Sequence, residues 1–363
     1  LLDQVDVQKY PSGGGRYKGT YIYEVTSQKG IDRLKEYNLG LYGDYAIYKS
    51  EIVKKDKSIS PAEKSGSNFV FNGLEIGDVV LIDFEGSFSR SGRFYKDYVD
   101  TRGFNSYYPV TEKTFRLFMQ EDNLKFKVTN GEIPYKKSKE GDFYVHEWSV
   151  KNDKELPMSE DFMPTYSDIA RELHLSSIES WDEISNWYSD LVREQMEFDQ
   201  TVEDAFKKIF PNGVANLSDD EKAKKIYEYV TGNFSYSYVS FKQSGFVPQK
   251  PEKTIKTKLG DCKDFSTLFA VLGKEAGLDV NLVLVLTSDY GKNALILPST
   301  DFNHCIVKVT IDGKPQFLEL TDKYLPYKAL PVSLRNATGL EIPYNKGAIQ
   351  GNELFKIYNV NRK

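Results

Sequence analysis

The first half of the chain alternates apolar and polar positions over short stretches. In "LKFKVT", Leu124, Phe126 and Val128 interleave with Lys125, Lys127 and Thr129 at period two, which predicts a strand with one buried and one wet face. "VVLIDFE" after Gly77-Asp78 and "FYVHEWSV" after Gly141-Asp142 are further strand-like runs, and Gly, Asn, Asp and Pro punctuate the sequence from Thr20 to Val150. The pattern predicts an antiparallel, sandwich-like β domain over residues 1–155. Between Leu156 and Ser177, around Pro157 and Pro164, periodicity fades as in a connector.

Helical spacing then takes over. Ser180 and Glu183 fit a capping box ahead of Trp181, Ile184, Tyr188, Leu191 and Val192, and Ser218 with Glu221 repeats the device before "KAKKIYEYVTG", where Gly232 can end the helix. A helix from about Cys262 to Ala276 precedes three strand candidates, "VNLVLVLT", "HCIVKVTI" and "QFLELT", the last two joined by the hairpin signal Asp312-Gly313. The expected architecture is α+β. Residues 156–217 serve as connector and helical lead-in, 218–335 as a core of helices on an antiparallel sheet, and 336–363 as a C-terminal extension or linker.

Composition narrows the partners. A net charge of -5 with 28% charged residues leaves no extended basic surface, so nucleic acid and anionic membrane are not expected as partners. No run of 18 apolar residues is present, so no membrane span is expected. The opening "LLDQVDVQKY" has no initiating Met, basic region or apolar core, and the expectation is a mature form or a fragment. "PSGGGRYKG" lacks the phosphate-loop pattern and reads as a flexible end, while the Tyr-rich "NFSYSYVSF" reads as a half-buried strand, with a substrate groove as the alternative.

Candidate chemistry sits in "TKLGDCKDFSTLFAVLGKEAG". Asp261 is a good N-cap, which places Cys262 at the first helical position, where the helix's positive end favours thiolate over thiol. Phe265, Leu268, Phe269 and Leu272 form the stripe that packs this helix on a sheet. The competing reading makes Cys262 a small hydrophobe at that interface. A nucleophilic cysteine needs a base, and of three histidines only His304 lies in the helix-sheet unit; His146 and His174 read as structural or solvated. If Ile311 pairs with Lys314 across the hairpin, His304 falls opposite Thr321 with Glu319 diagonal on the same face. A one-residue slip brings Asp322 there instead, so Glu319 and Asp322 compete as the orienting acid. Cys305 points away from the imidazole and reads as a core residue, which argues against a disulfide and against a metal site.

These stretches, "GDCKDFSTLFAVLGKEAGLDVNLVLV" and "FNHCIVKVTIDGKPQFLELTDKYLP", resemble the transglutaminase-like superfamily over about 220–331. The resemblance implies a papain-like fold with Cys262 as nucleophile, His304 as base and an acid on the next strand. Where the family pattern has Asp, this sequence has Glu319; Asp322 matches the family's second aspartate. The front half resembles the β-rich domain that precedes this core in bacterial envelope proteins, and "LPVSLRNATGLEI" resembles a bridge to a further domain. The resemblance implies a periplasmic or cell-surface cysteine peptidase or amidase acting on a peptide or protein; that chemistry requires no cofactor, and a monomer is expected. The alternative is a catalytically degenerate core that binds peptide or glycan.

Overall fold

The computed structural model describes residues 2–41, 43–157, 160–237, 245–344 and 347–358. The chain divides into two compact units, Leu1–Ile178 and Glu179–Lys363. Residues 238–241 of "NFSYSYVSF" lie outside the described residues.

In the first unit, eight strands form the main sheet, in the spatial order Tyr135–Glu140, Phe143–Asp153, Val110–Met119, Leu2–Lys9, Gly15–Glu24, Val79–Phe88, Tyr45–Val53 and Ile59–Pro61. One pair within it is parallel, Leu2–Lys9 against Val110–Met119; the other pairings are antiparallel. The alternate residues of one sheet face serve two cores. Val5, Val7, Phe115, Leu117 and Trp148 pack with Leu173 and Leu175, whereas Ile52, Val80, Ile82 and Phe84 pack with Phe69 and Phe71.

Three details depart from the sequence reading. Glu172–Ser176, inside the stretch read as connector, is the central strand of a small sheet between Lys125–Thr129 and Val99–Gly103, and all five of its residues are buried. A strand paired on both edges and covered on both faces shows no clean alternation, which hides it from a reading by periodicity. In the neighbouring strand Phe126 is 38% exposed, edge-on to Trp148, while Thr129 is buried against the His174 ring. The glycine-rich start is an ordered hairpin: Gly13 and Gly14 have φ of +83° and +113°, and a Cβ on Gly14 would lie 2.5 Å from the Phe88 carbonyl oxygen.

In the second unit, a five-stranded antiparallel sheet runs Lys314–Leu318, His304–Ile311, Asp279–Leu286, Thr338–Ile342, Phe355–Lys356. Helix Cys262–Glu275 packs on its central strands, and every residue from Cys262 to Gly273 is buried. A second apolar cluster, Val283, Val285, Ile306, Leu330, Leu334, Ala337 and Ile357, includes residues of both central strands. The segment "LPVSLRNATGLEI" is therefore part of this fold, since Thr338–Ile342 pairs directly with Asp279–Leu286.

The helix signals are met unevenly. Ser218 and Glu221 form the full capping box of helix Asp219–Asn233, which runs through Gly232. Ser180 caps helix Trp181–Arg193 by backbone geometry without a side-chain bond. Asp312 and Gly313 make the two-residue turn, with φ of +51° and +73° and Ile311 opposite Lys314. Among the described residues no helix is long and apolar enough to cross a membrane.

Candidate active site

The site begins at the start of helix Cys262–Glu275. Asp261 is the N-cap, and its carboxylate accepts the N–H groups of Lys263 at 3.1 Å and Asp264 at 3.3 Å. Asp264 completes the capping box by accepting the Asp261 N–H at 3.0 Å. Asp264 also accepts the backbone N–H of Gln249 and its side-chain amide, both at 2.7 Å, which fastens the preceding segment to the helix start. Cys262 is thereby fixed at the first helical position, 4% exposed.

His304 opens the adjacent strand, its ring largely buried and close enough to Cys262 for the sulfur to help raise its pKa. The ring Nε2 lies 2.6 Å from Glu319 Oε2, so the acid does not occupy Nδ1. Glu319 stands one residue beyond the last ladder pair, Val307 with Leu318, and is 3% exposed. Its other oxygen, Oε1, accepts the Thr321 N–H at 2.7 Å and the Thr321 hydroxyl at 2.6 Å. Both carboxylate oxygens are thus satisfied.

The electrostatics follow from this line. Burial of the His304 ring opposes its charging, but the Glu319 carboxylate and the hydrogen bonds to Cys262 and Glu319 outweigh it, holding the imidazole well above its ordinary pKa of 6.5. Burial likewise opposes ionisation of Glu319, yet the His304 charge and the bonds from His304 and Thr321 bring it down to about 2.

Other candidates stand elsewhere. Asp322 is exposed and accepts the Tyr324 N–H at 2.9 Å, so of the two competing acids the structure brings Glu319 to the ring and leaves Asp322 outside. Cys305 is buried and unpaired with Cys262, and burial first, then the neighbouring Cys262, push its thiol up. His146 and His174 are both buried, in the first unit: His146 meets the Tyr135 hydroxyl at 2.8 Å, and His174 sits between Thr101 and Thr129. Three contributors escape the sequence reading. Thr321 and Gln249 act through contacts that linear order does not display. Lys263, whose buried ammonium pairs with Asp261, leaves one signal: a cation in the first turn of a helix, where the dipole favours anions.

A helix that starts at a cysteine and packs on an antiparallel sheet, with a histidine beside the cysteine and a carboxylate behind the ring, is a papain-like fold. Residues 210–318 match the model of the transglutaminase-like superfamily. The crystal structure of a "putative protease" from Parabacteroides distasonis ATCC 8503 aligns over 99% of this chain and 71% of its own, with a TM-score of 0.66 and 14% identity, a likeness of fold. A "putative cysteine protease" from Cytophaga hutchinsonii aligns over 62% of this chain and 75% of its own at 11% identity; its TM-score of 0.26 is too low to support structural argument. No curated protein matches the chain.

Proposed function

We propose that the second unit is a cysteine acyl-transfer enzyme, a peptidase or amidase that hydrolyses a peptide or protein carboxamide. The observation that carries this is the His304 ring, bound to Glu319 at 2.6 Å and set beside Cys262 at its helix start. In the forward step Cys262 Sγ, whose proton the His304 imidazolium already holds, bonds to the carbonyl carbon. The same imidazole returns that proton to the departing amine as the C–N bond breaks, leaving a thioester. Water then attacks the thioester with His304 as base, releasing the acid and restoring the thiol. Glu319 orients the ring and stabilises its imidazolium form. The Cys262 N–H, among the amides at a helix start that have no intrahelical acceptor, is placed to donate to the developing oxyanion.

The Parabacteroides distasonis structure is named a "putative protease", which supports hydrolysis over cross-linking. The resemblance to envelope proteins supports a periplasmic or cell-surface setting. A binding-only core rests on the Glu-for-Asp replacement, and its support weakens once Glu319 is seen to reach the ring.

Iodoacetamide provides the direct test. The native Cys262 thiol should alkylate faster than free cysteine well below pH about 8, and His304→Ala should abolish that advantage. Mass spectrometry of a peptide-amide mixture should then show cleavage by the wild type and none by Cys262→Ala. An unreactive native thiol, or products that persist in Cys262→Ala, would rule the proposal out.

A further inference from the structure

Cys262 is flanked in sequence by an anion and a cation, and the two are paired. Asp261 is 5% exposed, Lys263 is 1% exposed, and the Lys263 ammonium contacts the Asp261 carboxylate. Burying such a pair is weak support for stability, because desolvation offsets most of the Coulomb gain and an apolar side chain fills the same space. Capping does not require it either, since Asn caps a helix as well as Asp. What the pair changes is the field at the residue between its members. An unopposed carboxylate at the cap would disfavour a second negative charge on the adjacent sulfur.

We infer that Lys263 is a positioning residue, which cancels the charge of the Asp261 cap so that the helix start does not oppose thiolate formation at Cys262. This rests on the reading of Cys262 as nucleophile. The other titratable groups around the sulfur do not substitute for Lys263. His304 is committed to Glu319, and Asp264 is a second carboxylate whose charge is met by three N–H donors. Tyr188, from helix Trp181–Arg193, and Cys305, from the sheet, are buried groups whose ionisation burial opposes. Among these described groups, Lys263 is the one cation that can balance Asp261.

The test is peptide-resolved iodoacetamide labelling of Cys262 in the full chain across roughly pH 5 to 9. Lys263→Met keeps the volume and removes the charge, and its rate profile should move to higher pH, with a loss of about tenfold near pH 6. Asp261→Asn keeps the cap and leaves the ammonium, so its profile should move to lower pH. The double variant should return close to the wild type. Opposite displacements distinguish an electrostatic role from a structural one, which would slow both single variants. Two singles that move the same way, or do not move while the wild-type thiol is reactive, overturn this inference and leave the nucleophile reading intact. A wild-type thiol no faster than free cysteine overturns both. Should Lys263→Met fail to fold by circular dichroism, the direction of Asp261→Asn decides alone.

Discussion

Glu319 is one methylene longer than the aspartate of the family pattern, and the length is taken up by its place one residue past the ladder's end, where Thr321 holds the far oxygen. Glu319→Gln preserves the shape but removes the charge that keeps His304 protonated, so kcat/KM on a cleaved peptide should fall by about 10²–10⁴-fold. An unchanged value would remove Glu319 from the mechanism. The same charge enters stability. The folded carboxyl titrates at about 2 against 4.5 ordinarily, so its contribution is complete above 4.5 and lost as pH falls toward 2. That contribution is on the order of 3 kcal/mol. His304 works in the other direction, because its pKa is raised: its contribution is full below 6.5 and lost as pH rises through the higher folded value. Urea melts from acid to neutral pH should therefore show the wild type losing stability between 4.5 and 2 where Glu319→Gln does not. Parallel curves would mean the carboxylate is not held as described.

At the scale of the elements, the two fully boxed helices differ in what their boxes hold. Ser218 and Glu221 stabilise an exposed start, so Ser218→Ala should cost about 1 kcal/mol. Asp264 satisfies the Asp261 N–H and two donors of Gln249 in a site where Asp264 is 3% exposed, so Asp264→Ala leaves several buried donors unpaired and should cost about 3 kcal/mol. Equal losses in urea titrations would show that the start of the Cys262 helix is held no more firmly than an ordinary one. The contrast bears on legibility. Cap residues, the Phe265 to Leu272 stripe and the Asp312-Gly313 turn are local, and from sequence alone they place Cys262 and His304 and narrow the acid to Glu319 or Asp322. Glu172–Ser176 and Thr338–Ile342 escape detection as strands of their sheets because nearly every residue in them is buried, which erases alternation. The grip of Gln249 on Asp264 spans 15 residues with no periodic signature, and the choice between Glu319 and Asp322 turns on a register that only the observed pairing fixes.

For the whole molecule, the division after Ile178 separates units that each bury their own apolar residues. Trp148, Phe115 and Leu173 share a cluster of the first unit, and Val283, Ile306 and Leu334 a cluster of the second. Cys262, His304, Glu319 and Thr321, with the capping network around Asp261, all lie in Glu179–Lys363. A unit of this size buries roughly 70% of the surface its unfolded chain exposes, enough to fold alone. Residues 179–363 expressed alone should therefore unfold in one cooperative transition and alkylate Cys262 within about twofold of the full chain's rate, since no site residue is removed. The full chain should show two separable transitions, with Phe269→Ala, at a fully buried position, lowering only the one that belongs to the second unit, by about 3–5 kcal/mol. A soluble second unit whose thiol has lost its reactivity would mean that residues 1–178 complete the site. Coincident transitions that Phe269→Ala shifts together would mean instead that the two cores fold as one.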